Sequence, residues 1–201
     1  MKRLVLPLLA ILLVATAAVA QQPAEARQAY PADPPVTPAC SAMTTFTAGI
    51  ADNFAQPADP TVLSPALQAY FQNNNLLATR SNFDTPGCDK HFGHSIRLND
   101  CRECGVCGAT LELRVKSCNT SLASNDAYYV GRAPFTGNNL IASGPVWSTG
   151  LPGPKTITVA IPPAKWQQLF CTPGTPAFID VYIQDDTIVD SIKLIVTRPL
   201  P

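Results

Sequence analysis

"FIDVYIQDDTIVDSIKLIV", residues Phe178 to Val196, reads as two strands and the turn between them. Ile179, Val181 and Ile183 fall on one face of the first strand, with Asp180, Tyr182 and Gln184 on the other, because successive strand side chains point to opposite sides. Asp185-Asp186-Thr187 supplies the short polar side chains of a turn. In the second strand Ile192, Leu194 and Val196 share a face, and counting back by twos sets Asp190 on that same face. A carboxylate in phase with a core is costly unless donors or an ion satisfy it. Asp180, on the opposite phase, is expected to be replaceable at little cost.

Working outward, the same period recurs. Leu111, Leu113 and Val115 alternate with Thr110, Glu112, Arg114 and Lys116 across Ala109 to Lys116, the pattern of a half-buried strand. Ala127 to Arg132, Lys155 to Ile161, Phe178 to Gln184 and Val189 to Arg198 are rich in β-branched or aromatic residues and are separated by turn residues. Helix signals are few. Ser64-Pro65 before "ALQAYFQ" offers an N-cap serine and a proline at the first helical position, and Ala164 to Phe170 follows Pro162-Pro163. Short strands punctuated by proline and glycine predict an all-β fold, a β-sandwich of jelly-roll-like form with one or two short helices.

The amino terminus frames where this fold is expected to work. Lys2 and Arg3 precede an apolar run from Leu4 to about Thr16 and then Ala18-Val19-Ala20, the pattern of a secretory signal peptide, with cleavage expected after Ala20. Residues 1–20 are thus expected to be removed. Residues 21–39 carry five prolines in nineteen positions and read as an extended linker, leaving 40–201 as a single β-sandwich domain. Without Lys2 and Arg3 the 14 basic and 14 acidic residues become 12 and 14, a net charge of −2. That balance argues against nucleic acid as a partner, and no later segment has the apolar length for membrane insertion after signal cleavage. The expected location is exported, periplasmic or extracellular.

Export bears on "CDKHFGHSIRLNDCRECGVC", residues Cys88 to Cys107, which packs four cysteines and two histidines into twenty positions. In an oxidising compartment cysteines pair as disulfides by default. The Cys101-x2-Cys104-x2-Cys107 run lacks the fourth cysteine of an iron–sulfur motif, and Gly108 stands where haem attachment needs a histidine. A zinc site built from Cys88, His91, Cys101 and Cys104 is the alternative. Seven cysteines, Cys40, Cys88, Cys101, Cys104, Cys107, Cys118 and Cys171, leave one over within a single chain. Cys107 and Cys118 stand at opposite ends of the 109–116 strand, more than about 30 Å apart, beyond disulfide reach. Cys118 is therefore expected to pair with Cys171 or Cys40, and Cys88 within its local cluster.

Acidic loop residues give the second place to look. Asp185, Asp186 and Asp190, with Asn125 and Asp126, offer the oxygen donors that Ca2+ takes six to eight at a time; capping of turn amides is the competing use. Trp147, Trp166, Tyr128, Tyr129 and Tyr182 are candidates to stack on a sugar or to pack a core. No G-x-S-x-G, H-E-x-x-H or phosphate-loop motif occurs, and both histidines, His91 and His94, sit in the cysteine-rich stretch, which argues against an enzyme.

The succession "FDTPGCDKHFGHSI", "GATLELRVK", "SNDAYYVG", "VWSTG" and "FIDVYIQDDTIVDSIKLIV" resembles a group of uncharacterised exported bacterial β-sandwich proteins, over roughly Asp52 to Thr197. The resemblance implies the sandwich and export and brings no catalytic residues. Three functions stay open: a secreted, disulfide-stabilised binding or structural module, with structural calcium and a carbohydrate or protein ligand; a zinc-binding exported protein; and a secreted hydrolase using the loop aspartates.

Overall fold

The computed structural model describes residues 40–86, 88–98, 105–118, 126–147, 153–171 and 178–199. The expected signal peptide and linker, together with Cys101, Cys104 and Asn125, lie outside the described residues. Among the described residues nine strands and two α-helices follow in chain order: β1 Cys40–Ala48, α1 Pro65–Asn73, β2 Arg80–Ser81, β3 His91–Arg97, β4 Gly108–Ser117, β5 Ala127–Gly131, β6 Leu140–Pro145, β7 Lys155–Ile161, α2 Pro163–Phe170, β8 Phe178–Ile183 and β9 Thr187–Pro199. They build one sheet in the order β1-β9-β4-β7 and another in the order β2-β3-β8-β5-β6. Apart from the parallel pair β2–β3, neighbours are antiparallel. Among the eight long strands, every connection except that from β5 to β6 crosses between sheets, which is the jelly-roll pattern expected from sequence.

The alternation of β4 explains the shared core. Leu111, Leu113 and Val115 are fully buried against Val189, Ile192, Leu194 and Val196 of β9 and Ile179, Val181 and Ile183 of β8. Trp166, Leu169 and Phe170 of α2 complete it. At ~1.5–3 kcal/mol for each large apolar side chain buried, this shared layer is the main source of stability.

β8 does not alternate, because the outer face of its sheet is roofed. Helix α1 starts as expected, with Ser64 Oγ accepting from the Leu67 amide at 3.1 Å and Pro65 at the first turn. Its Leu67 and Phe71 are buried with Ala133, Phe135 and Tyr182, the Phe71 and Tyr182 rings meeting edge-to-face at 5.7 Å. Gly93, opposite Tyr182 in β3, makes the seat: a Cβ there would lie 2.6 Å from the Phe71 ring. Asp180, expected to be replaceable at little cost, is therefore under this roof and not in solvent. It points outward from the core but is 1% exposed, accepting from Ser95 Oγ at 2.6 Å and from the Ala133 amide at 2.9 Å.

Asp190 also departs from its expected phase. Arg114 pairs with Ser191 and the next residue, Val115, with Val189, so β9 carries a bulge and Asp190 is the extra residue. Counting by twos fails across a bulge. Val189 takes the core position, and Asp190 joins the face that carries Arg114.

The expected disulfide pairing is corrected as well. Cys88 is bonded to Cys118, with Cα atoms 5.6 Å apart. Both are delivered to the β8–β9 turn: Cys88 lies just ahead of β3, whose Phe92 pairs with Ile183, and Cys118 follows β4, whose Ser117 pairs with Thr187. The bridge thus ties the two sheets where the chain itself passes between them. Cys107 and Cys171 are also disulfide-bonded.

Candidate functional site

The bulge in β9 brings together a group of charged side chains. Asp190 is fully buried on the outer side of its sheet because the chain after β1 folds over it. In that loop Asp52 Oδ1 accepts from the Ala55 amide at 2.9 Å, Asn53 and Phe54 both take positive φ, and the Phe54 amide donates to Asp190 Oδ1. Arg114 Nε stands 3.2 Å from Asp190 Oδ2, and its terminal nitrogen donates to Asn53 Oδ1 at 3.1 Å. The loop after β2 supplies the third wall. Asp84, at φ 54°, is anchored by its amide to Val189 O at 2.8 Å, and the Gln56 side chain donates to its carbonyl. One carboxylate oxygen each from Asp52, Asp84 and Asp190 lie within 4.8 Å of one another.

Asp84 is the unusual member of this group. It is 2% exposed, and neither carboxylate oxygen has a hydrogen-bond partner. Burial, then the neighbouring charges of Asp190, Asp52 and Asp59, push its pKa up to about 7, against a smaller opposing pull from Lys116.

Of the five residues expected to share a calcium ion, the four described fall in two places, Asp126, Asp185 and Asp186 at the β8–β9 turn and Asp190 apart from them. Asp185 and Asp186 group with Asp89 at the β8–β9 turn, where Asp186 Oδ1 accepts from the Asp89 amide at 3.2 Å, the turn-capping use of a short acid. Asp126 is buried beside them, bonded to the Thr187 hydroxyl, which also accepts from Trp147 Nε1 at 3.1 Å. Burial raises the Asp126 pKa to about 7 against that hydrogen bond, with Asp185 and Asp186 adding to the rise. Asp190 belongs to the other group, four residues along β9, and Asn125 is outside the described residues.

The expected zinc set loses Cys88, whose sulfur is bonded to Cys118 and offers no thiolate. His91 Nδ1 lies 3.1 Å from the Tyr182 hydroxyl, and Cys101 and Cys104 lie outside the described residues. His94 is a buried strand residue: its Nδ1 accepts from the Val62 amide at 3.2 Å, and burial pulls its pKa down to about 4. Of the aromatic candidates, Trp147, Trp166 and Tyr182 are buried, and Tyr128 and Tyr129 are half-buried against the core clusters.

A feature that sequence reading did not single out is the outer face of the β1-β9-β4-β7 sheet. Thr47, Lys193, Glu112 and Thr158 come into one row across all four strands by register, with a Lys193–Glu112 ion pair at 3.6 Å. Beside it opens a cleft of about 480 Å³, lined among others by Thr47, Glu112, Arg114, Thr156, Ser191 and Lys193. The polar half of the β4 alternation was the available signal. No family model matches the chain, and no curated protein or solved structure matches it.

Proposed function

We infer that this is an exported, disulfide-stabilised β-sandwich whose work is binding, with the open polar face of the β1-β9-β4-β7 sheet as its ligand surface. The observation that carries the reading is the asymmetry of the two outer faces: one is roofed by α1 and its aromatic cluster, the other carries a cleft and a row of hydrogen-bonding side chains. Threonines beside a Glu–Lys pair suit a ligand dense in hydroxyl groups, so carbohydrate is the first class and an extended protein segment the second. The Cys88–Cys118 bridge supports export, since such bonds persist in oxidising compartments. It fits the expected removal of residues 1–20, which amino-terminal sequencing of the exported protein from Gln21 tests directly.

The binding experiment is affinity electrophoresis of the mature protein through a panel of soluble polysaccharides. Retardation by at least one, lost in Glu112→Ala/Lys193→Ala with an unchanged melting temperature, supports the reading. Retardation that survives the double substitution moves the ligand off this face. No retardation on any member removes carbohydrate as the ligand class and passes the face to the protein reading.

A further inference from the structure

We propose that Asp52, Asp84 and Asp190 form a calcium site that fastens the loops after β1 and β2 onto the bulge of β9. Two independent observations meet there. Three carboxylates from separate segments bring oxygens within 4.8 Å of one another, close enough to share one ion. Asp84, nearly all buried, aims into that group with both carboxylate oxygens unpartnered, whereas buried polar atoms are ordinarily satisfied.

Charge selects the class of ion. Arg114 stands against Asp190 at 3.2 Å and balances one of the three negative charges. Lys116 rests its ammonium 4.3 Å from the Phe54 ring centre and makes no hydrogen bond to Asp84. Asp59 adds a fourth carboxylate and Lys116 a second cation around Asp84, so four negative charges face two positive ones, an excess of two that matches a divalent cation. The donors are all oxygen, so the ion is hard. They come from two irregular loops and a bulged strand, and Ca2+ accepts an uneven shell completed by water where Mg2+ demands near-octahedral order. Asp52 is the exposed member, giving the ion and its waters an approach from solvent.

The site stands independently of the ligand assigned to the open face, yet it adjoins it. Gly49, Ile50 and Ala51 line the cleft and lead directly into Asp52, and Arg114 belongs to both. Calcium would therefore set one wall of the cleft without touching its occupant.

The test uses the mature protein, stripped with EDTA, dialysed free of chelator and titrated with CaCl2 or MgCl2. One Ca2+ should bind per chain by calorimetry, and at ~100-fold excess over Kd the melting temperature should rise by about 5–10 °C, with far less response to Mg2+. Asp84→Asn keeps the shape and removes the charge; it should fold and lose both responses. If it does not fold, Asp52→Asn, at an exposed position, should weaken binding at least tenfold. Asp186→Asn at the other acidic group should leave both responses intact. Absence of any calcium response in the stripped wild type overturns the proposal. So does a response that survives Asp84→Asn and Asp52→Asn, or one that is lost in Asp186→Asn.

Discussion

Asp180 and Asp190 are both aspartates that point away from the core and are nonetheless buried, and they are buried in opposite ways. Asp180 lies under a roof of neutral donors, a serine hydroxyl and a backbone amide, on a face packed with aromatic rings. Asp190 lies under a loop that brings Asp52, with Asp84 from a second loop and Arg114 from β4 beside it, at the rim of an open polar face. Outward phase along a strand thus says which side a residue takes and nothing about what covers that side. The covered face has become a second core, and the other keeps its polar side chains in solvent.

The sharpest way to break the comparison is to remove the roof. Phe71→Ala should cost about 3–5 kcal/mol in urea unfolding, because the ring fills the seat over Gly93 and against Tyr182. A cost under 1 kcal/mol would mean that the α1 side of the β8 sheet is as open as its counterpart.

Between the two faces sits His94, and there pH is the probe. Its folded pKa, about 4, lies below the ordinary 6.5, so the unfolded chain binds the proton first. The stability it contributes is present above pH 6.5 and is lost as pH falls toward 4, on the order of 3 kcal/mol in all. Asp84 and Asp126, with raised pKa values, act in the reverse sense from pH 4 to 7. The difference curve between wild type and His94→Asn isolates the histidine and should slope upward with pH across that window. A flat difference curve would place His94 in water.

Asp180→Ala comes next. It strands Ser95 Oγ and the Ala133 amide, at about 2 kcal/mol in chemical denaturation. A neutral result would show that water reaches beneath the roof. The smallest effect belongs to the open face: Thr158→Ala, on an exposed position of β7, should change stability by less than about 0.5 kcal/mol. A larger loss would mean that this face is also packed.

Much of the fold was legible. Lys155–Ile161 came out with its observed bounds, and the 109–116 and 178–184 strands and both helices within a residue or two, because each has a clean period or a cap. β3 is not legible in the sequence because His91 to Arg97 reads as part of a cysteine and histidine cluster, and it is buried on both faces with no alternation to see. β1 and β6 lack strong apolar period and take their place from pairing partners far along the chain. The candidate site was half legible. The phase of Asp190 in the sequence marks it as a buried charge in need of a partner. Its bulge, and the approach of Asp52 and Asp84 from loops 138 and 106 residues earlier, are set by tertiary contacts that a local period cannot carry.

The position of β9 has a consequence in time. It is the final strand of the sandwich, yet it lies between β1 and β4. Until it arrives those two strands have no common partner, and β1 stays unpaired along its whole length. A chain emerging amino terminus first cannot close this sheet until β9 has been delivered. Such distant pairing makes assembly slow and leaves strand edges open to other molecules meanwhile. A chain cut short before Thr187 would keep that exposure permanently, so it should accumulate as aggregate rather than as a smaller folded protein.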